Sequence, residues 1–216
     1  MSKYREFPKA DADTIKEYAF EVGKPEVADL VDEVREWLGK PEKVTALATA
    51  WDPTAARMVR DAGESLGTCQ RQLADYWEGR AHEAFSGWAS DIDADIESTA
   101  AILSGMSNLL QDCNDVITRT YMLAIGAIGE TAAAILEAVG GLFGTIKDKF
   151  GMLGEVAKLL AGFVRTITNL SQGAVEQIGD YRRFALDMRQ KAAELNVMDR
   201  IPPSAELPEN WEVRPA

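Results

Sequence analysis

The chain has 216 residues, enough for one or two domains, and its 35 acidic and 23 basic residues give a formal net charge of −12. Such an excess of negative charge argues against binding to nucleic acids and to anionic membranes, because both present phosphate groups. Two cysteines are too few for a disulfide scaffold, and one histidine excludes sites built from several histidines. We therefore expect an ordered, acidic protein that binds no metal or other cofactor.

Apolar residues recur every three or four positions along most of the chain, which predicts long helices. The four predicted helices span residues 12–38, 42–76, 80–139 and 145–196. The first should be kinked near Gly23, and the second has a possible kink at Pro53. Because each apolar stripe must be buried against other helices, we expect an all-α fold. Its architecture would be an elongated antiparallel helical bundle with long helical hairpins, formed as a single domain by residues 1–200.

The C-terminal residues 201–216 contain four prolines and no helical stripe. This composition predicts a Pro-rich extended tail that is ordered only where Trp211 finds a surface. At the other end of the chain, the charged N-terminal residues are not followed by an apolar segment, so we expect no cleavable signal peptide. The sequence contains no run of about 20 apolar residues, so we expect no membrane-spanning helix.

The join between the second and third predicted helices carries a Trp-x-Gly motif, Trp77-Glu78-Gly79. Gly79 allows the backbone to reverse without a Cβ penalty. Trp77 would cover the end of the resulting hairpin, and the small Ala81 would let the two helices approach closely. Phe85 and Trp88 follow at helical spacing. The motif can serve only to hold the fold or also to recognise a partner, and the residues leave both possibilities open.

This pattern resembles the WXG-motif family of type VII (ESX) secretion substrates. Trp77 and Gly79 match the signature pair, and Ala81, Phe85 and Trp88 match the small and aromatic positions that follow it. The resemblance covers a hairpin of about residues 42–110. The additional length is similar to that of the larger PE/PPE-like members.

The resemblance implies a non-catalytic protein that acts by partner binding or self-assembly. Its implied partners are a helical WXG-type protein or a second copy of the chain, together with the type VII secretion machinery. The five motif residues would carry that recognition. The implied location is outside the cell or at its surface, reached from the cytoplasm by a route that needs no signal peptide.

One feature of the resembled family has no match in this chain. Its export signal is Tyr-x-x-x-Asp/Glu, whereas the fourth residue after each tyrosine here is Pro8, Val22, Arg80, Ile125 or Ala185. The signal is therefore missing, degenerate or carried by a partner.

A glycine-rich apolar segment lies around the predicted turn between the third and fourth helices. Its candidate assembly residues are Gly126, Gly129, Gly140, Gly141, Phe143 and Gly144. Small residues at this density suit an apolar tip packed within its own hairpin, an oligomer contact or membrane insertion. Glu130 and Glu137 count against insertion because they are charged.

Enzyme motifs are missing from the sequence: it contains no phosphate-binding glycine loop, no His-Glu-x-x-His and no Gly-x-Ser-x-Gly. We therefore expect a protein that is not an enzyme. Two alternatives remain beside partner binding: a membrane-active or pore-forming effector that uses the glycine-rich segment, and the targeting domain of a longer toxin. Cys69 and Cys113 are predicted to be free thiols, because the hairpin would hold them far apart.

Overall fold

The computed structural model describes residues 5–140, 146–195 and 200–213. These residues are almost entirely helical, so the expectation of an all-α fold is confirmed. The α-helices are α1 (Lys9–Glu21), α2 (Glu26–Glu36), α3 (Pro41–Thr49), α4 (Ala56–Ala74), α5 (Arg80–Gly140), α6 (Ile146–Glu194) and α7 (Pro203–Glu206). Two short strands, β1 (Trp77–Glu78) and β2 (Glu212–Val213), form an antiparallel pair.

The chain folds into two compact units. The first unit takes residues 1–42 and 112–181, and the second takes residues 43–111 and 182–216. The helices α5 and α6 each contribute residues to both units. In this grouping, the residues after 200 belong to the second unit together with residues 43–111.

The core of the first unit is built from one face of each of four helices. Its buried residues are Ala12, Ile15 and Ala19 of α1, Val27, Val31 and Val34 of α2, Tyr121, Ala124, Ile125, Ile128, Ala132 and Ile135 of α5, and Val156, Leu160, Phe163 and Ile167 of α6. Their spacing of three or four residues puts each set on one side of its helix. The periodicity of the sequence predicts that each helix buries one apolar stripe, and this core consists of such stripes.

The predicted first helix, residues 12–38, is in fact two helices, and the expected kink near Gly23 is a full break. Gly23 has φ of +71°, and the N–H of Lys24 donates to the carbonyl of Ala19 at 2.8 Å. The N–H of Gly23 donates to Phe20, which completes a Schellman helix end. The left-handed glycine turns the chain so that α1 and α2 pack on each other.

An ion pair joins these two helices across the break. The Lys16 ammonium donates to an Asp32 carboxylate oxygen at 2.5 Å, and Arg35 lies 3.4 Å from the same oxygen. The hydrogen bond from Lys16 holds the pKa of Asp32 below its usual value. Partial burial opposes this effect, and the positive charges of Lys16 and Arg35 reinforce it.

The predicted second helix, residues 42–76, is interrupted at the possible kink. The six residues Ala50–Ala55 form a π-helical segment in which Asp52 has an extended backbone, with φ −141° and ψ 128°. Pro53 explains the break, since proline has no N–H and disfavours a helical conformation in the residue before it. The buried hydroxyl of Ser107 on α5 donates to the carbonyl of Ala48 at 2.8 Å.

Two hydrogen bonds and one close approach at a glycine tie α4 to the first part of α5. The Gln70 amide donates to the Ser86 carbonyl at 3.2 Å, and the Arg60 guanidinium donates to the Ser104 hydroxyl at 2.8 Å. Between them, a Cβ added at Gly63 would lie 3.0 Å from the Ile96 side chain. As the α4 partner moves away from the Trp77 turn along the chain, its α5 partner moves away from the turn in the opposite chain direction.

The predicted third and fourth helices lie within one or two residues of α5 and α6 at each end. The predicted turn between them falls in residues 141–145, which lie outside the described residues. The two cysteines are free, with Cys69 exposed and Cys113 half-buried.

Candidate interaction site at the Trp77 turn

The turn between α4 and α5 depends on Gly79. Its φ is +88°, a conformation that side chains with a Cβ rarely adopt. An added Cβ would also lie 2.9 Å from the carboxyl carbon of Glu212. The carbonyl of Gly79 accepts the N–H of Glu83 at 3.1 Å, the first hydrogen bond of the new helix. Glycine is therefore needed here for backbone conformation and for space.

Aromatic rings gather around this turn and form what we call the Trp77 cluster: Trp77, His82, Phe85, Trp88 and Trp211. The ring centre of Trp77 lies 5.7 Å from His82, 5.6 Å from Phe85 and 5.0 Å from Trp211. Phe85 in turn lies 5.7 Å from Trp88. These separations are typical of favourable aromatic contacts. The sequence motif and the tail thus contribute to one cluster.

Small residues allow the cluster to close. Ala81 is completely buried at the start of α5, and Ala89, two turns further on, is buried as well. Phe85 and Ala205 are also buried, and Leu66 and Leu73 of α4 pack against them. The five motif residues are therefore brought together, with Ala81 and Phe85 inside and Trp77 and Trp88 half-buried.

The C-terminal segment 200–213 is part of this site. Where the sequence predicts an extended tail, the structure has α7, a 3-10 turn at Pro208–Asn210 and strand β2. The Trp211 indole N–H donates to the carbonyl of Ala205 at 2.9 Å, which folds the segment on itself. Strand β2 then pairs with β1, placing Val213 opposite Trp77. The surface that the sequence expected Trp211 to find is Trp77.

Sequence reasoning did not assign Ala205, Trp211 or Glu212 to the site. Trp211 was the available signal, because a tryptophan is a large apolar residue in an otherwise polar, proline-rich segment. Ala205 and Glu212 had no such signal. Their role follows only from the docking of the segment on the turn.

An acidic groove adjoins the cluster. It has a volume of about 1180 Å³ and runs between α5 and the C-terminal segment. Its charged lining residues are Glu83, Asp91, Asp95, Arg200 and Glu206. Trp88 and Ile92 supply an apolar floor. The combination suits an extended ligand with both apolar and basic groups.

The Trp77 cluster contains two polar groups, the indole N–H of Trp77 and the imidazole of His82. The Trp77 indole N–H is buried and has no hydrogen-bond partner among the described residues, so it is a donor in an apolar setting. The His82 imidazole lies 3.4 Å from the Ser86 hydroxyl. Within the described part of the chain, no group of three or more potential metal ligands occurs.

Three of the glycine-rich candidates, Gly126, Gly129 and Gly140, belong to the first unit and to α5. A Cβ at Gly126 or Gly140 would meet no atom of the described residues within 4 Å, and one at Gly129 would lie 3.6 Å from the Asp11 carboxylate. Packing within the chain therefore does not require glycine at these positions. Gly141, Phe143 and Gly144 lie outside the described residues.

Helix α5 is long and apolar enough to cross a membrane by length and composition, and 28% of its most apolar stretch is buried. The sequence had led us to expect no such segment. That expectation was based on an uninterrupted apolar run. In α5, small and uncharged polar residues interrupt that run but leave the mean hydropathy high. Core helices of soluble proteins can have the same length and composition.

Comparison of the chain with protein-family models, with curated proteins and with solved structures finds no match.

Proposed function

We propose that this chain is a non-catalytic binding protein that recognises a protein partner through the Trp77 cluster. The observation that supports this most is the half-buried position of Trp77 and Trp88 at the turn, beside a groove that the described chain leaves open. Tryptophan is enriched among residues that dominate binding energy in protein interfaces. The buried indole N–H of Trp77, which has no hydrogen-bond partner among the described residues, could donate a hydrogen bond to a ligand carbonyl or carboxylate once the cluster opens.

We further propose that α4 and the first part of α5 form the long antiparallel hairpin of a WXG-type protein. The reverse order of the contacts from Gln70–Ser86 to Arg60–Ser104 supports this architecture. In such a protein the Trp-x-Gly turn marks the end of the hairpin. The remaining helices would extend it into an elongated bundle similar to the larger PE/PPE-like members.

The proposed partner is a small helical WXG-type protein, with a second copy of this chain as the alternative. In the type VII scheme, the assembled pair would be recognised by the secretion machinery and would leave the cytoplasm without a signal peptide. Because this chain has no Tyr-x-x-x-Asp/Glu, the partner would supply that element.

Size-exclusion chromatography with light scattering tests this proposal. The chain of 23.6 kDa is measured alone and after co-expression with a small helical WXG-type protein. We expect a stable complex or a defined oligomer, which is lost in Trp77→Ala while circular dichroism shows that the helices persist. Tyr76→Ala is the matched control, because Tyr76 is the exposed aromatic neighbour of Trp77.

Trp77→Phe keeps an aromatic ring in the cluster. It is the second variant in case Trp77→Ala loses association only because it unfolds. It should retain part of the association. If the wild-type chain is monomeric and binds no helical partner, the proposal is wrong.

A second candidate function is membrane activity through α5. The apolar stretch of this helix, of which 28% is buried, favours it. Glu130 and Glu137 oppose insertion when charged, so acid should promote it. Leakage of dye from anionic liposomes at acidic but not neutral pH would support this function. Leakage at neither pH would eliminate it.

A further inference from the structure

The end of α6 that belongs to the second unit carries an exposed surface, which we call the basic strip: Arg182, Leu186 and Arg189. Their spacing of four and three residues places the three side chains on one face of the helix. Leu186 is 57% exposed although it lies between two arginines. Beside the strip, Ile102 and Met106 of α5 line an apolar groove of about 460 Å³. Helices that dock in a groove present their contact residues at this spacing.

The two arginines of the strip have no acidic partner among the described residues, whereas the neighbouring charges of α6 do have partners. The Lys191 ammonium lies 3.0 Å from the Asp187 carboxylate, and the Gln190 amide donates to the Glu194 carboxylate at 2.9 Å. The helix dipole favours positive charge only near the last turn, and Arg182 lies more than three turns before the end of α6. The strip is therefore a basic surface with an apolar centre and no partner in the described chain.

The acidic groove between α5 and the C-terminal segment lies in the same unit and has the opposite charge. Four carboxylates and one guanidinium group line it, and its apolar floor includes Ile92. The carboxylates that α5 contributes are those of Glu83, Asp91 and Asp95. None of these three forms an ion pair within the described part of the chain. The groove thus offers an apolar floor between unpaired negative charges, as a basic helix face with an apolar centre requires.

We propose that the acidic groove binds the basic strip of a second copy of this chain, with Leu186 against the apolar floor and the two arginines against the carboxylates of Glu83 and Asp91. The spacing of the charges supports this pairing. Arg182 and Arg189 are about 10.5 Å apart along α6, and Glu83 and Asp91 are about 12 Å apart along α5. This surface goes beyond the proposed function, because no residue of the strip belongs to the Trp77 cluster.

The contact must form between chains, because no residue of the strip lines the groove of its own chain. Every copy carries both surfaces. Two chains can therefore exchange strips about a two-fold axis, or successive chains can join head to tail. The net charge of −12 disfavours unspecific association, so self-association requires a local match of this kind.

Two charge-reversed variants test the contact. The strip variant carries Arg182→Glu and Arg189→Glu, and the groove variant carries Glu83→Lys and Asp91→Lys. All four positions are exposed, so the helices should persist, which circular dichroism checks. Sedimentation velocity at several protein concentrations measures self-association of each variant and of the wild type.

Matched controls separate the contact from net charge and from general loss of apolar surface. Arg57→Glu with Arg165→Glu makes the same change of charge as the strip variant, at exposed positions outside both surfaces. Leu186→Ala removes the apolar centre of the strip. Its control is Val175→Ala, because Val175 is 66% exposed on α6 in the first unit.

We expect the wild type to self-associate, and to do so about tenfold more weakly when salt rises from about 0.05 M to about 1 M. Each charge-reversed variant should associate about 100-fold more weakly than the wild type, because like charges then meet. An equimolar mixture of the two variants should recover association, since each strip then meets a groove of opposite charge. Leu186→Ala should weaken association about tenfold, and the two controls should behave as the wild type.

A wild type that stays monomeric at both salt concentrations would overturn the inference. So would charge-reversed variants that associate as the wild type does, or a mixture that fails to recover. Self-association that is lost in Trp77→Ala but unchanged in the charge-reversed variants supports the proposed function and contradicts this inference. Self-association that follows the charges but persists in Trp77→Ala, in a chain that binds no helical partner, supports this inference and contradicts the proposed function.

Discussion

The indole rings of Trp77 and Trp211 lie 5.0 Å apart and are inclined by 43°, which makes the C-terminal segment the cover of the Trp-x-Gly turn. The two residues are distant in sequence and adjacent in space. Their contact joins the motif that resembles a secretion signature to a segment that the sequence treated as a tail.

Removing the Trp77 ring should destabilise the second unit substantially. Trp77→Ala should lower the free energy of unfolding by about 3 kcal/mol, near the lower end for a buried tryptophan because the residue is half-buried. Trp211→Ala should cost about 1 kcal/mol, since its ring is half exposed. Denaturant unfolding monitored by circular dichroism measures both. Tyr76→Ala is the control, and a loss there as large as that of Trp77→Ala would contradict the assignment.

Gly79→Ala should destabilise the turn. The positive φ alone should cost about 1–2 kcal/mol for a residue with a Cβ, and the close approach of Glu212 adds to it. The matched control is Gly67→Ala, which lies within α4 and where a Cβ would meet nothing within 4 Å. That control should be neutral or stabilise by up to about 1 kcal/mol. Equal effects of the two changes in urea unfolding would show that the turn does not need glycine.

Replacing the glycine-rich candidates by alanine shows whether these glycines matter for the stability of the chain or for its assembly. Gly126→Ala and Gly129→Ala should each stabilise the isolated chain by up to about 1 kcal/mol, because a Cβ finds room at both positions. Gly63→Ala, which would press on Ile96, should give no such gain. If the glycines form an oligomer contact, light scattering should show weaker assembly of the more stable variants. A loss of stability in both would contradict the packing described for α5.

Ser107→Ala should lower the free energy of unfolding, because the Ser107 hydroxyl bonds to the backbone at the helix break near Asp52. The variant leaves the buried carbonyl of Ala48 without its 2.8 Å donor, which should cost about 1–3 kcal/mol. Ser90→Ala is the control, because its hydroxyl also donates to a carbonyl, that of Ser86, but in an exposed position. Chemical unfolding should show a change within about 0.5 kcal/mol for the control. A similar small change for Ser107→Ala would mean that water replaces the hydroxyl.

The Lys16–Asp32 ion pair should make the first unit sensitive to acid. The pKa of Asp32 is lowered in the folded chain, so its stabilising contribution is present above its usual pKa of about 3.9 and is lost as the pH falls through the lower folded value. Asp32→Asn should therefore be less stable than wild type at about pH 7, and the difference should vanish in strong acid. Glu33→Gln, a change at the exposed neighbouring carboxylate, should show a smaller difference across the same titration of unfolding free energy. A difference for Asp32→Asn that does not depend on pH would contradict the ion pair.

The sequence by itself determined the helical class, the burial of one apolar face of each helix and the position of the Trp-x-Gly turn. These properties follow from local signals. Periodicity selects one side of a helix, Pro53 prevents regular hydrogen bonding, and Gly79 permits a left-handed turn.

Only the tertiary structure decided that Gly23 reverses the chain, that residues after 200 pack within the second unit, and that Trp211 covers Trp77. The Gly-x-Pro sequence at Gly23 is compatible with a kink or with a reversal of the chain, and the packing of α1 against α2 selects the reversal. The C-terminal segment has no periodicity of its own, because its order comes from contacts with residues far away in the sequence. A short segment that folds on a distant surface leaves too little local pattern to predict where it docks.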